Sequence, residues 1–148
     1  QSMMSSKLRL LCLNWLPQGA PPAVFCACPG SADGPFAVCP VGFWINDLGS
    51  SMTIDSVNDK GEFSGLYHTA VTATSNEIKI SPLQGSQHPK NEVNQPTFGF
   101  AVNWSFSDST TVFTGQCFVD DDGKEILRTT WLLRQEVGNL KEDWKATR

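Results

Sequence analysis

The stretch "FGFAVNWSF" at residues 98–106 decides the fold class. Phe98, Phe100, Val102, Trp104 and Phe106 fall on one parity, and Gly99, Ala101, Asn103 and Ser105 on the other. An apolar residue at every second position is the period of a strand with one buried face; the apolar stripe of a helix recurs at every third or fourth residue. Working outward, "STTVFTGQCFV" at 109–119 and "KEILRTTWLLR" at 124–134 behave similarly. The loop "DDDG" at 120–123 joins them, and a short glycine-containing connection of this kind marks a hairpin. Its three aspartates lack the alternate spacing and the distal glutamate of a calcium loop, so it reads as a solvated turn. Upstream, "GFWINDLGS" at 42–50, "SMTIDSV" at 51–57, "EFSGLYHTA" at 62–70 and "NEIKISP" at 76–82 add four more short strands, with "VNDKG" at 57–61 as a turn. Seven strands without a helical period predict an all-β, antiparallel up-and-down barrel, an architecture that removes exposed edges by closing on itself. A barrel of about eight strands holds one small ligand in its mouth.

The chain has 148 residues, enough for one domain with a real core. A formal net charge of −4 and a pI near 5.0 give no electrostatic footprint for nucleic acid or an anionic membrane. The most apolar run, "LRLLCLNWL" at 8–16, falls far short of the roughly 20 residues that cross a bilayer, and Asn14 breaks it as a signal-peptide core. Residues 1–41 carry Lys7, Arg9 and Asp33 as their charged groups, four cysteines and the tract "LPQGAPPAVFCACPGSADGPFAVCP". They read as a disordered leader outside the fold, which leaves 42–148 as the barrel domain. Cys26-Ala-Cys28 lacks the paired spacing and partner histidines of a zinc site, so no metal is expected.

The run "GLYHTAVTATSNEIK" at 65–79 is dense in hydroxyls. Threonine also suits a half-exposed strand, so composition leaves two readings open. Parity favours a cavity: Tyr67 and Thr69 share the inward face of Phe63, and Trp44, Trp104 and Trp131 lie on the inward parity of their strands as an aromatic box. A tryptophan on its own is more often core. No carboxylate or histidine has inward parity; His68 faces outward and His88 lies in the loop at 85–96. Such a site lacks general acids, bases and nucleophiles, so it is built to hold a neutral polar ligand, without enzyme activity and without a cofactor.

Several long segments carry a resemblance. "NDLGS" at 46–50, "MTI" at 52–54, "GEFSGLYHTAVTATSNEIKISPLQG" at 61–85, "QPTFGFAVNWSFSDSTTVFTGQCF" at 95–118, "DDDG" at 120–123 and "GKEILRTTWLLR" at 123–134 together resemble the avidin family, with the likeness running from Gly42 to Arg148. The resemblance implies a secreted homotetramer of eight-stranded barrels that binds biotin non-covalently with high affinity and sequesters or stores it. It implies that the ureido oxygen of biotin accepts hydrogen bonds from Asn46, Ser50 and Tyr67, and that Thr69 accepts from a ureido N–H. Trp104, Phe113, Trp131 and Thr111 would surround the bicyclic ring, with Phe106 and Leu133 as apolar wall. Val71, Thr72, Ala73 and Thr74, with Ser107 and Ser109, would meet the valerate chain and its carboxylate. Trp144 matches the tryptophan that the family lends to a neighbouring subunit's pocket. Cys117 matches the second cysteine of the family disulfide, and Cys39 stands one residue nearer Gly42 than the family spacing; their pairing is what the resemblance implies.

The chain departs from the pattern in three places. Ser51 removes one glycosylation sequon, and "NWS" at 103–105 creates another at Asn103. The leader is atypical. The sequence stops at Arg148, where the resemblance places the final strand, so seven of eight strands and an open seam are expected, with weakened binding. Two rival readings are a lipocalin-like carrier of apolar ligands, from the G-x-W match at Gly42-Phe43-Trp44, and a defective avidin-like product that does not bind.

Overall fold

The computed structural model describes residues 4–10, 40–72, 74–88, 95–122 and 124–148, the first of these by its backbone. Eight strands follow in chain order: β1 (Met4–Leu10), β2 (Gly42–Asn46), β3 (Ser51–Val57), β4 (Glu62–His68), β5 (Ser81–Gln87), β6 (Thr97–Asn103), β7 (Ser109–Val119) and β8 (Glu125–Gln135). Each pairs antiparallel with the next, and β8 pairs antiparallel with β1, so the sheet is a closed barrel. The seven strands expected from residues 42–134 are β2–β8. The open seam is corrected: the expected vacancy between β2 and β8 is filled by Met4–Leu10, a piece of the presumed leader. Its ladder runs from Met4↔Trp131 to Arg9↔Ile126 on one side and from Leu8↔Asn46 to Leu10↔Trp44 on the other. Two flanking strands with unpaired N–H and C=O groups create a demand for backbone partners that almost any extended segment can meet, which is why composition did not reveal it.

A second correction concerns "NEIKISP". Residues 77–80 form no strand, and β5 begins at Ser81. The β-branched Ile78 and Ile80 raise local strand preference, yet pairing with β4 and β6 selects "SPLQGSQ", with Ser81, Leu83 and Gln87 buried. Pro82 is tolerated because the ladder to β6 starts only at Leu83. Gly85 is required by close approach: a Cβ there would collide with the carbonyl oxygen of Gly99 and with Phe100.

Inward residues form one core, from Trp44, Met52, Ile54, Phe63, Leu83, Phe98, Phe100, Val102 and Leu127. The aromatic members pack in register, Phe98 on Phe100 with centroids 6.2 Å apart and Phe100 on Phe113 at 4.6 Å. Trp44 belongs to this packed interior: it is fully buried and its Nε1 donates to the Pro40 carbonyl at 2.8 Å. Turns close as their residues dictate. Asn58 Oδ1 accepts from the N–H groups of Lys60 and Glu62, with Gly61 at φ 85° completing the turn. Asp120 Oδ1 accepts from Asp122 and Lys124 N–H, which explains the first aspartate of "DDDG" as a turn residue. After β8 the chain makes a 3₁₀ turn, Leu140–Lys145, capped by the Asn139 side chain. Residues 146–148 then return along the β8 edge, with Gln135 N–H bonded to the Ala146 carbonyl and Leu133 and Arg148 exchanging both backbone bonds.

Candidate functional site

One mouth of the barrel opens into a cavity of about 780 Å³. Its deep wall comes from β2 and β4 and the loops that follow them. Asn46, the last residue of β2, keeps inward parity and is buried. Its Oδ1 accepts from the N–H groups of Leu48 at 3.0 Å and Ser50 at 2.9 Å. These two bonds fix the amide orientation and leave the NH₂ end as a donor on the cavity side. Ser50 is also buried, and its Oγ accepts from Ala70 N–H at 2.9 Å. That bond uses acceptor capacity and leaves the hydroxyl proton to donate.

Tyr67 stands between these groups and the aromatic wall. Its phenol is pushed up to about 12 by burial, with the neighbouring Ser50 hydroxyl acting in the opposite direction. The group is therefore a neutral O–H donor throughout the physiological range. The Thr69 hydroxyl donates to the Val71 carbonyl at 2.7 Å, so what it can offer a ligand is an accepting lone pair. The deep wall of the cavity thus presents donors from Asn46, Ser50 and Tyr67 and an acceptor from Thr69, all uncharged.

The opposite wall is aromatic. Tyr67 meets Trp104 edge-on with centroids 5.6 Å apart and stacks on Phe113 at 5.5 Å. Trp104 lies just beyond the end of β6, where the chain turns into β7, and is held there by its Nε1 donating to Thr111 Oγ1 at 2.8 Å. Phe106 packs against Trp104 at 5.6 Å, and half-buried Trp131 and Leu133 on β8 complete this side. At the rim, Thr72 Oγ1 accepts from Thr74 N–H, and Ser107 and Ser109 share a short hydrogen bond of 2.6 Å.

The model of the avidin family matches residues 37–148. The chain belongs to that family. Chicken (Gallus gallus) avidin is 67% identical over 107 residues, covering 72% of this chain and 70% of avidin. Avidin-related protein 4/5 of the same species is 59% identical over 107 residues, with the same coverage of 72% and 70%. A solved structure described as a biotin-binding protein from chicken superposes with a TM-score of 0.72 at 58% identity, over 75% of this chain and 90% of that one. An avidin-family barrel therefore carries the cavity.

Of the residues expected at the site, Asn46, Ser50, Tyr67, Thr69, Val71, Thr72, Thr74, Trp104, Phe106, Ser107, Ser109, Thr111, Phe113, Trp131 and Leu133 all line the cavity. Ala73 lies outside the described residues, as does Cys39. Cys117 is fully buried and disulfide-bonded. Trp44 is absent from the lining, so the aromatic box has two tryptophans from this chain rather than three. Trp144 lies on the 3₁₀ turn, 79% exposed, with the Lys145 ammonium 5.5 Å from its ring centre. Asn103 is exposed and its Oδ1 accepts from Thr110 Oγ1 at 2.9 Å.

Sequence reasoning missed part of the rim: Leu48, Asn76, Asp108, residues 135–138 and Arg148. Asn76 was within reach, since it ends the hydroxyl-rich run; its Nδ2 donates to the Phe106 carbonyl at 2.7 Å and ties the two sides of the mouth together. Asp108 sits between two residues that were expected there. Arg148 carried no signal, because its place depends on the returning tail.

Proposed function

We propose that this protein is a non-covalent biotin-binding protein that sequesters or stores the vitamin. The observation that carries the reading is the polarity of the deep wall: the Asn46 NH₂ group and the hydrogen-bonded pair of Ser50 and Tyr67 hydroxyls stand there as donor groups, and Thr69 Oγ1 as acceptor, because backbone partners occupy the opposite ends of Asn46, Ser50 and Thr69. A ureido group, with one carbonyl oxygen and adjacent N–H groups, is the complement of that set. Three donors at one oxygen stabilise its negative polarisation as an oxyanion site does, here for binding. Trp104, Phe113 and Trp131 would enclose the ring and thioether, and the hydroxyls of Thr72, Thr74, Ser107 and Ser109 would meet the carboxylate.

The finer parts of the reading follow from kinship. The chain acts as a secreted homotetramer, with outward-facing Leu66 and Val112 exposed on the barrel wall as contact surface and Trp144 lent to a neighbouring cavity. Cys39 pairs with Cys117, and Asn103 carries a glycan. A carrier of apolar ligands is less well supported, since a hydrocarbon would leave the remaining donor and acceptor capacity of the deep end unmet. Titration calorimetry of the full chain tests the proposal: biotin is expected to bind one per chain, and a fatty acid to leave that binding unaffected. Absence of heat with biotin, or displacement by the fatty acid, overturns it.

A further inference from the structure

The slot between β2 and β8 is filled unevenly. β1 pairs with six residues of β8 but only three of β2, so the β2 side of the slot is the less fully paired. The covalent connection from β1 to β2 spans residues 11–41, whereas β2 reaches β3 through residues 47–50 and β3 reaches β4 through 58–61. Tight turns join those strands to their neighbours; β1 meets the described barrel through its two ladders. The same β1 register also touches the site: Leu8 pairs with Asn46 and Met4 with Trp131, residues on opposite walls of the cavity.

We infer that β1 is a positioning element of the binding site, docked and undocked in equilibrium, and that docking and ligand binding stabilise each other. The inference rests on the biotin reading above. When β1 leaves, β2 and β8 become sheet edges, and water reaches the strand backbones that carry Asn46 and Trp131. Hydrogen bonds from Asn46 to a ligand then compete with solvent, and their net worth falls towards about 1 kcal/mol. Because the coupling is reciprocal, a ligand that needs the closed wall must hold β1 in its slot. The apparent affinity is the intrinsic affinity scaled by the fraction of chains with β1 docked.

Hydrogen exchange and dissociation kinetics on the full chain test this together. Saturating biotin is expected to slow exchange of the Met4–Leu10 amides and of the facing amides of β8. Leu8→Pro removes a backbone donor from the middle of the strand and should speed biotin release by about tenfold, the scale of one or two net hydrogen bonds. Leu8→Val keeps the donor and should restore slow release. Unchanged protection of Met4–Leu10 in a chain that binds biotin overturns the coupling and leaves the biotin reading standing, as does wild-type release from Leu8→Pro. Should Leu8→Pro fail to fold, exchange in the unaltered chain decides alone. If the unaltered chain binds no biotin, the functional reading falls and the coupling with it.

Discussion

The two ends of the barrel are made by the same strands and behave as different materials. On β2 the inward positions read Trp44 then Asn46; on β4, Phe63 and then Tyr67, followed by Thr69 just past the strand; on β7, Cys117 and Phe113 and then Thr111. Towards the closed end, large apolar groups interlock and leave no room. Towards the mouth the same inward parity carries hydroxyls, an amide and tryptophans around an open volume. The closed end supplies the rigidity that holds the mouth's hydrogen-bonding groups in place without a ligand, so less ordering has to be paid when one arrives. Stability and recognition are thus separated along the strand axis, and substitutions should sort by height in the barrel.

The largest effect should come from the packed end. Trp44→Ala removes a fully buried side chain and is expected to cost about 3–5 kcal/mol of stability, read by denaturant unfolding. Biotin affinity of the remaining folded molecules should change far less than stability does; a matching loss in both would erase the distinction between the ends. Next, Trp104→Ala or Trp131→Ala should each cost at least about 2 kcal/mol of binding free energy, as a buried aromatic anchor does. Unchanged affinity in calorimetry would remove these residues from the site. Thr111→Val is a subtler probe, since it keeps the shape and deletes the acceptor for Trp104 Nε1. Leaving that donor unpaired should cost about 1–3 kcal/mol, appearing as faster ligand release. The smallest effect concerns pH. Tyr67 has its phenol raised from 10.0 to about 12 in the folded chain. Its contribution to stability is therefore fully present below pH 10 and lost as pH rises through the interval up to 12. Binding should be flat across that lower range and decline only in strong alkali. A midpoint near the unperturbed phenol value, seen by ultraviolet titration, would mean that Tyr67 is not buried as described.

Much of this was legible in the chain. Period two in 98–106 and 109–119 identified strands because one face of each is buried, and a buried face imprints its period on sequence. The cavity residues were legible through long matching segments, and the structure gathers all of them that it describes except Trp144. What was illegible depended on contacts distant in sequence. "MSSKLRL" has no imprint of its own, because its role is to supply backbone partners to β2 and β8. "SPLQGSQ" contains a proline and a glycine that local preference counts against a strand, yet its neighbours on both sides require one there. Trp44 and Trp131 share an inward parity, and parity cannot say at what depth a side chain meets the cavity.

Closure by β1 also orders events in time. Met4 leaves the ribosome well before its partner Trp131. Loop-closure entropy opposes so distant a contact until the intervening strands have assembled. Hairpin by hairpin, β2 to β8 can form as they emerge, each strand meeting a partner already made. Until β8 is made, β1 can pair only through its short ladder to β2. Throughout that interval the longer ladder of β1 has no partner, and its closure on β8 is the contact that joins the two ends of the sheet.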